Sequence, residues 1–396
     1  MTDISCINNV IVIGAGVMGS GIAQVALMAG YEVTLVDLRK QFVNDGIAKI
    51  KAGLIKVHTK GKLGVGVSID RILAKCKTST DLAFAVKDAD FVFEAVTEKL
   101  KIKKDVCNIV MANSPPHCIF ASNTSTFSIT EIAADSSRPE KVIGMHFFLP
   151  VILQCCVEVM KGEKTTNEAL DIGVTVGRTL PCLKGKRLSV RIDKESLGFI
   201  ANRLLIPPLI YVNWILDQAY ERGIPWEQID ADAGAGQLVS MGPCELSDYL
   251  GIDASYNSLK SFEKSVSPDF APGKIMTKLI DEGNLGKKTG KGFYDWKEGR
   301  PKIDLSRKVG LFNPEILLAI QLNEGCKLLE EGVVSGYKII DEVMVRGTSM
   351  PGPFGAGKNN FTKWSQMLEN IAEKTEKSYL KPCKLMKSGG FINMRK

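Results

Sequence analysis

V-I-V-I-G-A-G-V-M-G, Val10 to Gly19, decides the fold. Its four β-branched residues read as a short strand, the glycines as a tight turn, and S-G-I-A-Q-V-A-L-M-A-G (Ser20 to Gly30) continues with apolar residues at helical spacing. A second strand-like run, Glu32 to Val36, stops at Asp37, which lies 18 residues after Gly19. Strand, G-x-G-x-x-G, helix, strand and acid in that order predict a dinucleotide site. Gly14 permits the tight turn, Gly16 lets the backbone approach a pyrophosphate, and Gly19 lets helix and sheet pack closely. Val17 and Met18 open the helix, where unpaired amides and the helix dipole favour an anion. The Asp37 carboxylate is suited to accept ribose hydroxyls and repel a 2′-phosphate, so NAD is expected over NADP; Arg39 is the one neighbour that favours the phosphate.

Working outward, apolar runs at Asp90 to Val96, Cys118 to Ala121 and Lys141 to Met145 alternate with helix-like stretches such as Lys99 to Ala112. Such alternation over about 190 residues predicts an α/β, Rossmann-like domain with a doubly wound parallel sheet. The pattern changes after Asp193. Helical spacing dominates Phe199 to Arg222, Glu245 to Leu250 and Ser258 to Lys264, so an all-α domain is expected, closed by G-K-K-T-G-K-G-F-Y-D-W (Gly286 to Trp296). E-R-G-I-P-W-E-Q-I-D and M-G-P (Glu221 to Asp230, Met241 to Pro243) recur as E-E-G-V-V-S-G-Y-K-I-I-D and P-G-P (Glu330 to Asp341, Pro351 to Pro353). The C-terminal segment therefore reads as a divergent repeat of the helical domain, giving expected domains 1–192, 193–298 and 299–396.

Composition narrows the function classes. With 45% apolar and 24% charged residues, the 396-residue chain has the make-up of a soluble globular protein. Its excess of 7 basic residues is spread without blocks, which disfavours a nucleic-acid arm and leaves a polyanionic small ligand open. Ten cysteines without a C-x-x-C pair read as reduced thiols, and a cytoplasmic setting is expected. Three scattered histidines, His58, His117 and His146, are too few for a metal cluster, and no metal is expected. Neither a targeting segment nor a membrane span is recognisable.

Five further motifs stand in order: A-S-N-T-S-T (Ala121 to Thr126), R-P-E-K-V-I-G-M-H-F-F-L-P (Arg138 to Pro150), V-E-V (Val157 to Val159), G-F-I-A-N-R-L-L (Gly198 to Leu205) and M-G-P-C-E-L (Met241 to Leu246). With the glycine fingerprint and G-K-K-T-G-K-G-F-Y, the chain resembles the L-3-hydroxyacyl-CoA dehydrogenase family from near residue 8 to near 296. The repeat looks like the tandem helical domains of larger fatty-oxidation members, without an enoyl-CoA hydratase part. The resemblance implies NAD-dependent interconversion of L-3-hydroxyacyl-CoA, such as 3-hydroxybutyryl-CoA, with its 3-oxo thioester.

Oxidising a secondary alcohol requires removing the hydroxyl proton as hydride leaves the same carbon, and a histidine suits that step. His146 follows a predicted strand and Glu158 lies 12 residues on, where a neighbouring strand would bring its carboxylate to the second imidazole nitrogen. The resemblance implies that they form the catalytic pair, while His58 and His117 are expected to be structural. It also implies that Ser125 and Asn202 bond the reacting oxygen and nicotinamide region, and that Glu98, Lys103 and Lys288 contact NAD. As plain chemistry Ser125 could equally cap a helix, and Glu98 and Lys103 could share a solvated helix face. For coenzyme A the basic stretch Lys49, Lys51, Lys56, Lys60 and Lys62 complements the phosphates, with Lys60 and Lys62 nearest the family's position.

The chain departs from the family pattern at Leu149, where H-F-F-N-P has Asn, and at Leu197, where S-P-G-F has Pro. The segment between Gly177 and Gly198 is longer by about six residues, and Leu238 to Ser240 lengthen another loop. Two rival readings remain at this level: a dehydrogenase of a free 3-hydroxy or polyol acid, and a non-catalytic acyl-CoA or NAD-binding subunit. Two helical copies in one chain could also pack on each other as an internal pseudo-dimer.

Overall fold

The computed structural model describes residues 4, 6–64, 66–235 and 239–396. They form two compact units, 1–201 with 332–352, and 202–331 with 353–396. In the first unit β1 (Asn9–Ile13), β2 (Glu32–Val36), β3 (Cys76–Ser79), β4 (Phe91–Glu94), β5 (Ile119–Ser122), β6 (Val142–Phe147), β7 (Cys156–Lys161) and β8 (Leu188–Ile192) make one sheet in the order 3-2-1-4-5-6-7-8. Every neighbouring pair is parallel except β6 and β7, which run antiparallel. This corrects the expectation of a wholly parallel sheet: the connection 148–155 is too short for a helical crossover, so the chain turns straight back.

β4, β5 and β6 are buried along their whole length, which is why they read as continuous apolar runs and not as alternating ones. Val10, Val12, Phe91, Phe93, Ile143 and Val157 share the core beside the sheet. Helix α1 (Val17–Ala29) is stopped by Gly30, whose left-handed backbone (φ 101°) turns its amide onto the Leu27 carbonyl. Helix α2 (Lys40–Thr59) follows β2. Because β2 and β4 flank β1 on opposite sides, the order reverses there and opens a crevice at the strand ends.

The second unit has no strand among its described residues. Its expected opening helix, Phe199 to Arg222, is two helices, Ala201–Leu205 and Pro208–Glu221, because Pro207 and Pro208 lack the amides a continuous helix would need. Cys155 and Cys182, expected as thiols, are joined as a disulfide. Linear spacing concealed the pair: Cys155 precedes β7, Cys182 lies in the lengthened segment before β8, and the parallel pairing of these strands brings the two residues together. Eight cysteines remain free. Leu238 lies outside the described residues. Among the described residues no helix is long and apolar enough to cross a membrane.

Candidate active site

The crevice at β1 fits a dinucleotide on its own geometry. Gly14 has φ 98°, and a Cβ there would lie 2.5 Å from the Ala95 carbonyl oxygen; one on Gly19 would lie 1.8 Å from that of Gly14. Space beside Gly16 is open to 4 Å, Val17 is exposed, Met18 is half-buried, and no side chain caps the first amides of α1. Those amides are therefore donors awaiting an acceptor. Asp37 accepts from the Ala15 and Leu38 amides at 2.7 Å each, which ties the turn to the end of β2 and leaves further lone pairs on its carboxylate. Arg39 sits over the Phe42 ring.

Beyond β4 the chain builds a charge network that sequence reading only half saw. Lys103, expected as a ligand contact or a solvated residue, is buried, with Nζ 2.8 Å from Glu94 and 3.1 Å from Glu98. Burial opposes its charge, yet the two acids hold its pKa above the ordinary lysine value. Glu98, against a similar burial cost, is held below the usual carboxylate range by Lys103, the Thr124 hydroxyl and the Ser125 amide. Ser125 is thus fixed by its backbone to Glu98. The helix cap that was the competing reading of Ser125 belongs to Ser128, which accepts from the Glu131 amide. Glu94 was missed; its place at the end of β4, nine residues before Lys103, was the available signal.

β6 and β7 place His146 directly opposite Glu158, and Nδ1 lies 2.7 Å from Oε2. Glu158 is wholly buried, and its other oxygen accepts from the Ile200 and Ala201 amides at 2.8 and 3.0 Å. With three acceptor directions of the carboxylate used, the one toward the imidazole favours a proton on Nδ1 and leaves Nε2 as the free ring nitrogen. Phe199 stacks on the imidazole at 5.0 Å and Phe148 meets it edge-on at 4.9 Å. Asn202 follows Ala201 and opens the second unit.

Lys288 pairs with Asp253 in the second unit. Lys60 and Lys62 are exposed beyond α2, beside a cavity of about 470 Å³ lined by His58, Gly61, Leu63, Gly64, Gly66, Val67 and Ser68. His58, expected to be structural, thus lines an opening, whereas His117 bonds Asp90, which in turn holds the Asn8 and Asn9 amides. Leu149 is half exposed, and Leu197 is half-buried. Arg187, in the lengthened segment, was not foreseen. It is buried and donates to the carbonyls of Val151, Gln154, Cys156, Leu180 and Pro181, and burial lowers its pKa to about 10.

Two family profiles match: "3-hydroxyacyl-CoA dehydrogenase, NAD binding domain" over residues 9–184, and "3-hydroxyacyl-CoA dehydrogenase, C-terminal domain" over 198–296. The mitochondrial hydroxyacyl-coenzyme A dehydrogenase of Sus scrofa is 39% identical over 300 residues, covering 74% of this chain and 92% of its own length. The 3-hydroxybutyryl-CoA dehydrogenase of Bradyrhizobium diazoefficiens is 34% identical over 299 residues, 74% of this chain and 97% of its own. The crystal structure of 3-hydroxybutyryl-CoA dehydrogenase from Escherichia coli superposes with a TM-score of 0.81 over 98% of both chains at 26% identity. With both profiles falling in order on the strand-turn-helix crevice and the helices that follow it, this chain belongs to the 3-hydroxyacyl-CoA dehydrogenase family and is an NAD-dependent dehydrogenase.

Proposed function

We propose that the chain interconverts a short L-3-hydroxyacyl-CoA, 3-hydroxybutyryl-CoA in the first instance, with the 3-oxo thioester. The buried cross-strand pair of His146 and Glu158 carries this reading. In the oxidation, His146 Nε2 takes the hydroxyl proton while the Glu158 carboxylate steadies the imidazolium that results. NAD, when bound, supplies the hydride acceptor. Gly14, Gly16, Val17, Met18 and Gly19 hold its pyrophosphate and Asp37 its ribose; Glu98, backed by Lys103, faces the nicotinamide side, and Lys288 is a further cofactor contact. Ser125 and Asn202 orient the reacting oxygen. Lys60 and Lys62, beside the cavity at His58, take the phosphates of coenzyme A. NADH oxidation with acetoacetyl-CoA beside free acetoacetate is the test. Turnover of the thioester alone is expected; turnover of the free acid refutes the thioester assignment, and turnover of neither refutes catalysis.

We also infer that 299–396 copies 193–298, after a nucleotide domain of 1–192. Asn213 and Asn323 each accept an amide 60 residues later, from Gly273 and Cys383. Gly242 and Gly352 each press on an aspartate, their Cβ positions 2.3 and 2.0 Å from the carboxylates of Asp230 and Asp341. The copies meet where the Tyr379 amide donates to Asp269 at 2.7 Å and the Phe270 and Tyr379 rings pack at 4.7 Å, as in an internal pseudo-dimer. Eight free thiols favour a cytoplasmic setting, against which the Cys155–Cys182 bridge stands.

A further inference from the structure

Residues 332–352 lie beyond both family profiles, yet they belong to the unit that holds the sheet. Within them a wide helical turn, Met344–Thr348, lies against the return 148–155 that joins β6 to β7. The Cys155 amide donates to the Arg346 carbonyl at 3.0 Å. Gly347 faces Phe148 so closely that a Cβ would stand 2.9 Å from two of its ring carbons. Phe148 in turn sets its edge on the His146 imidazole at 4.9 Å. Gly347, Phe148 and His146 therefore stand in one line of contacts, and a methyl group at its start requires the Phe148 ring to move.

We propose that this C-terminal turn is a positioning element of the dehydrogenase reaction: Gly347 sets the Phe148 ring, and the ring sets the plane of the imidazole. The proposal rests on His146 being the base. Carbon atoms in ordinary contact stand 3.4–4 Å apart, so a methyl group on residue 347 must displace the ring by roughly 0.5–1 Å. The ring meets the imidazole edge-on at 4.9 Å, so its displacement changes that contact. Proton and hydride transfer are sensitive to such shifts, a 1 Å error costing about 10² in rate. Phe148 and Gly347 act through His146 and are positioning residues.

The chain has only three histidines, so its imidazole resonances are separable by NMR on histidine-labelled full-length protein, with His146→Ala assigning the one of interest. Gly347→Ala is expected to move the His146 resonance and leave those of His58 and His117 in place. It should lower kcat for 3-hydroxybutyryl-CoA oxidation by about 10- to 100-fold with KM for NAD within about twofold. Gly347→Ala with Phe148→Leu should lose no more than Phe148→Leu alone, since the two act through one ring. A His146 resonance that stays put, or losses that add, overturns the coupling. Should Gly347→Ala fail to fold, Phe148→Leu decides by the same resonance and kcat, and its silence in both overturns the proposal. Turnover retained by His146→Ala removes the base assignment, and the proposal with it, whatever the resonance does; a silent resonance removes the coupling alone.

Discussion

Glu158→Gln exchanges one carboxylate oxygen for an amide nitrogen where both oxygens are committed. If the amide oxygen stays on the His146 Nδ1 proton, its NH₂ group faces the Ile200 and Ala201 amides, and two buried donors lose their acceptor. Each such loss costs about 1–3 kcal/mol. If the amide turns over, its oxygen keeps both backbone bonds and its NH₂ donates to Nδ1. The imidazole proton then moves to Nε2, and the base is gone. The turned form is therefore favoured by about 2–6 kcal/mol, so the working tautomer falls at least roughly thirtyfold. Loss of the charge that steadied the imidazolium adds to this; an amide in the equivalent place of the serine-protease triad costs about 10⁴. The expected fall in kcat is about 10²–10⁴, read as NADH formation from L-3-hydroxybutyryl-CoA at saturating NAD. NADH affinity, read by fluorescence, should stay within about twofold of the parent. A kcat within about tenfold of the parent, or a loss lying in NADH affinity, would refute the reasoning.

Four shorter predictions follow from other residues. Asp37→Asn should narrow the preference for NAD over NADP in kcat/KM, and a parent enzyme already preferring NADP would contradict the role given to this carboxylate. Leu149→Asn, which restores the family's residue at a half-exposed position, should change kcat or KM for the thioester; unchanged kinetics would place that side chain outside the substrate site. Burial raises the Asp230 carboxyl to about 6 from its ordinary 3.8, against the pull of the Cys244 and Glu245 amides and the Tyr294 hydroxyl. Between those values the folded chain keeps a proton that the unfolded chain has released, so this group's contribution to stability falls as pH rises, by on the order of 3 kcal/mol. Urea melts at both ends of that window should show the fall in the parent and not in Asp230→Asn, and equal slopes would negate it. Truncation after Trp296 removes Tyr379 from Phe270 and should cause dimerisation or aggregation by light scattering; a well-behaved monomer would show that the C-terminal segment covers no such surface.

The sequence by itself determined the nucleotide crevice and the change from sheet to helices. These are local properties: glycines at set spacing allow one turn, β-branched runs make buried strands, and an acid at the end of β2 needs only the βαβ unit to place it. His146 and Glu158 were legible as candidates for a related reason, since two short strands joined by a tight return can pair in few registers. The tertiary structure alone decided what depends on distant packing. It buried Lys103 between Glu94 and Glu98, gave the helix cap to Ser128 instead of Ser125, tied Lys288 to Asp253, joined Cys155 to Cys182, and set Arg187 among five carbonyls. It also brought Gly347, some two hundred residues away in sequence, against the ring beside His146. No residue spacing encodes such contacts, because a charged or glycine residue has the same local preferences whether water or a protein partner meets it; only tertiary packing, by fixing which segments meet, supplies the partner.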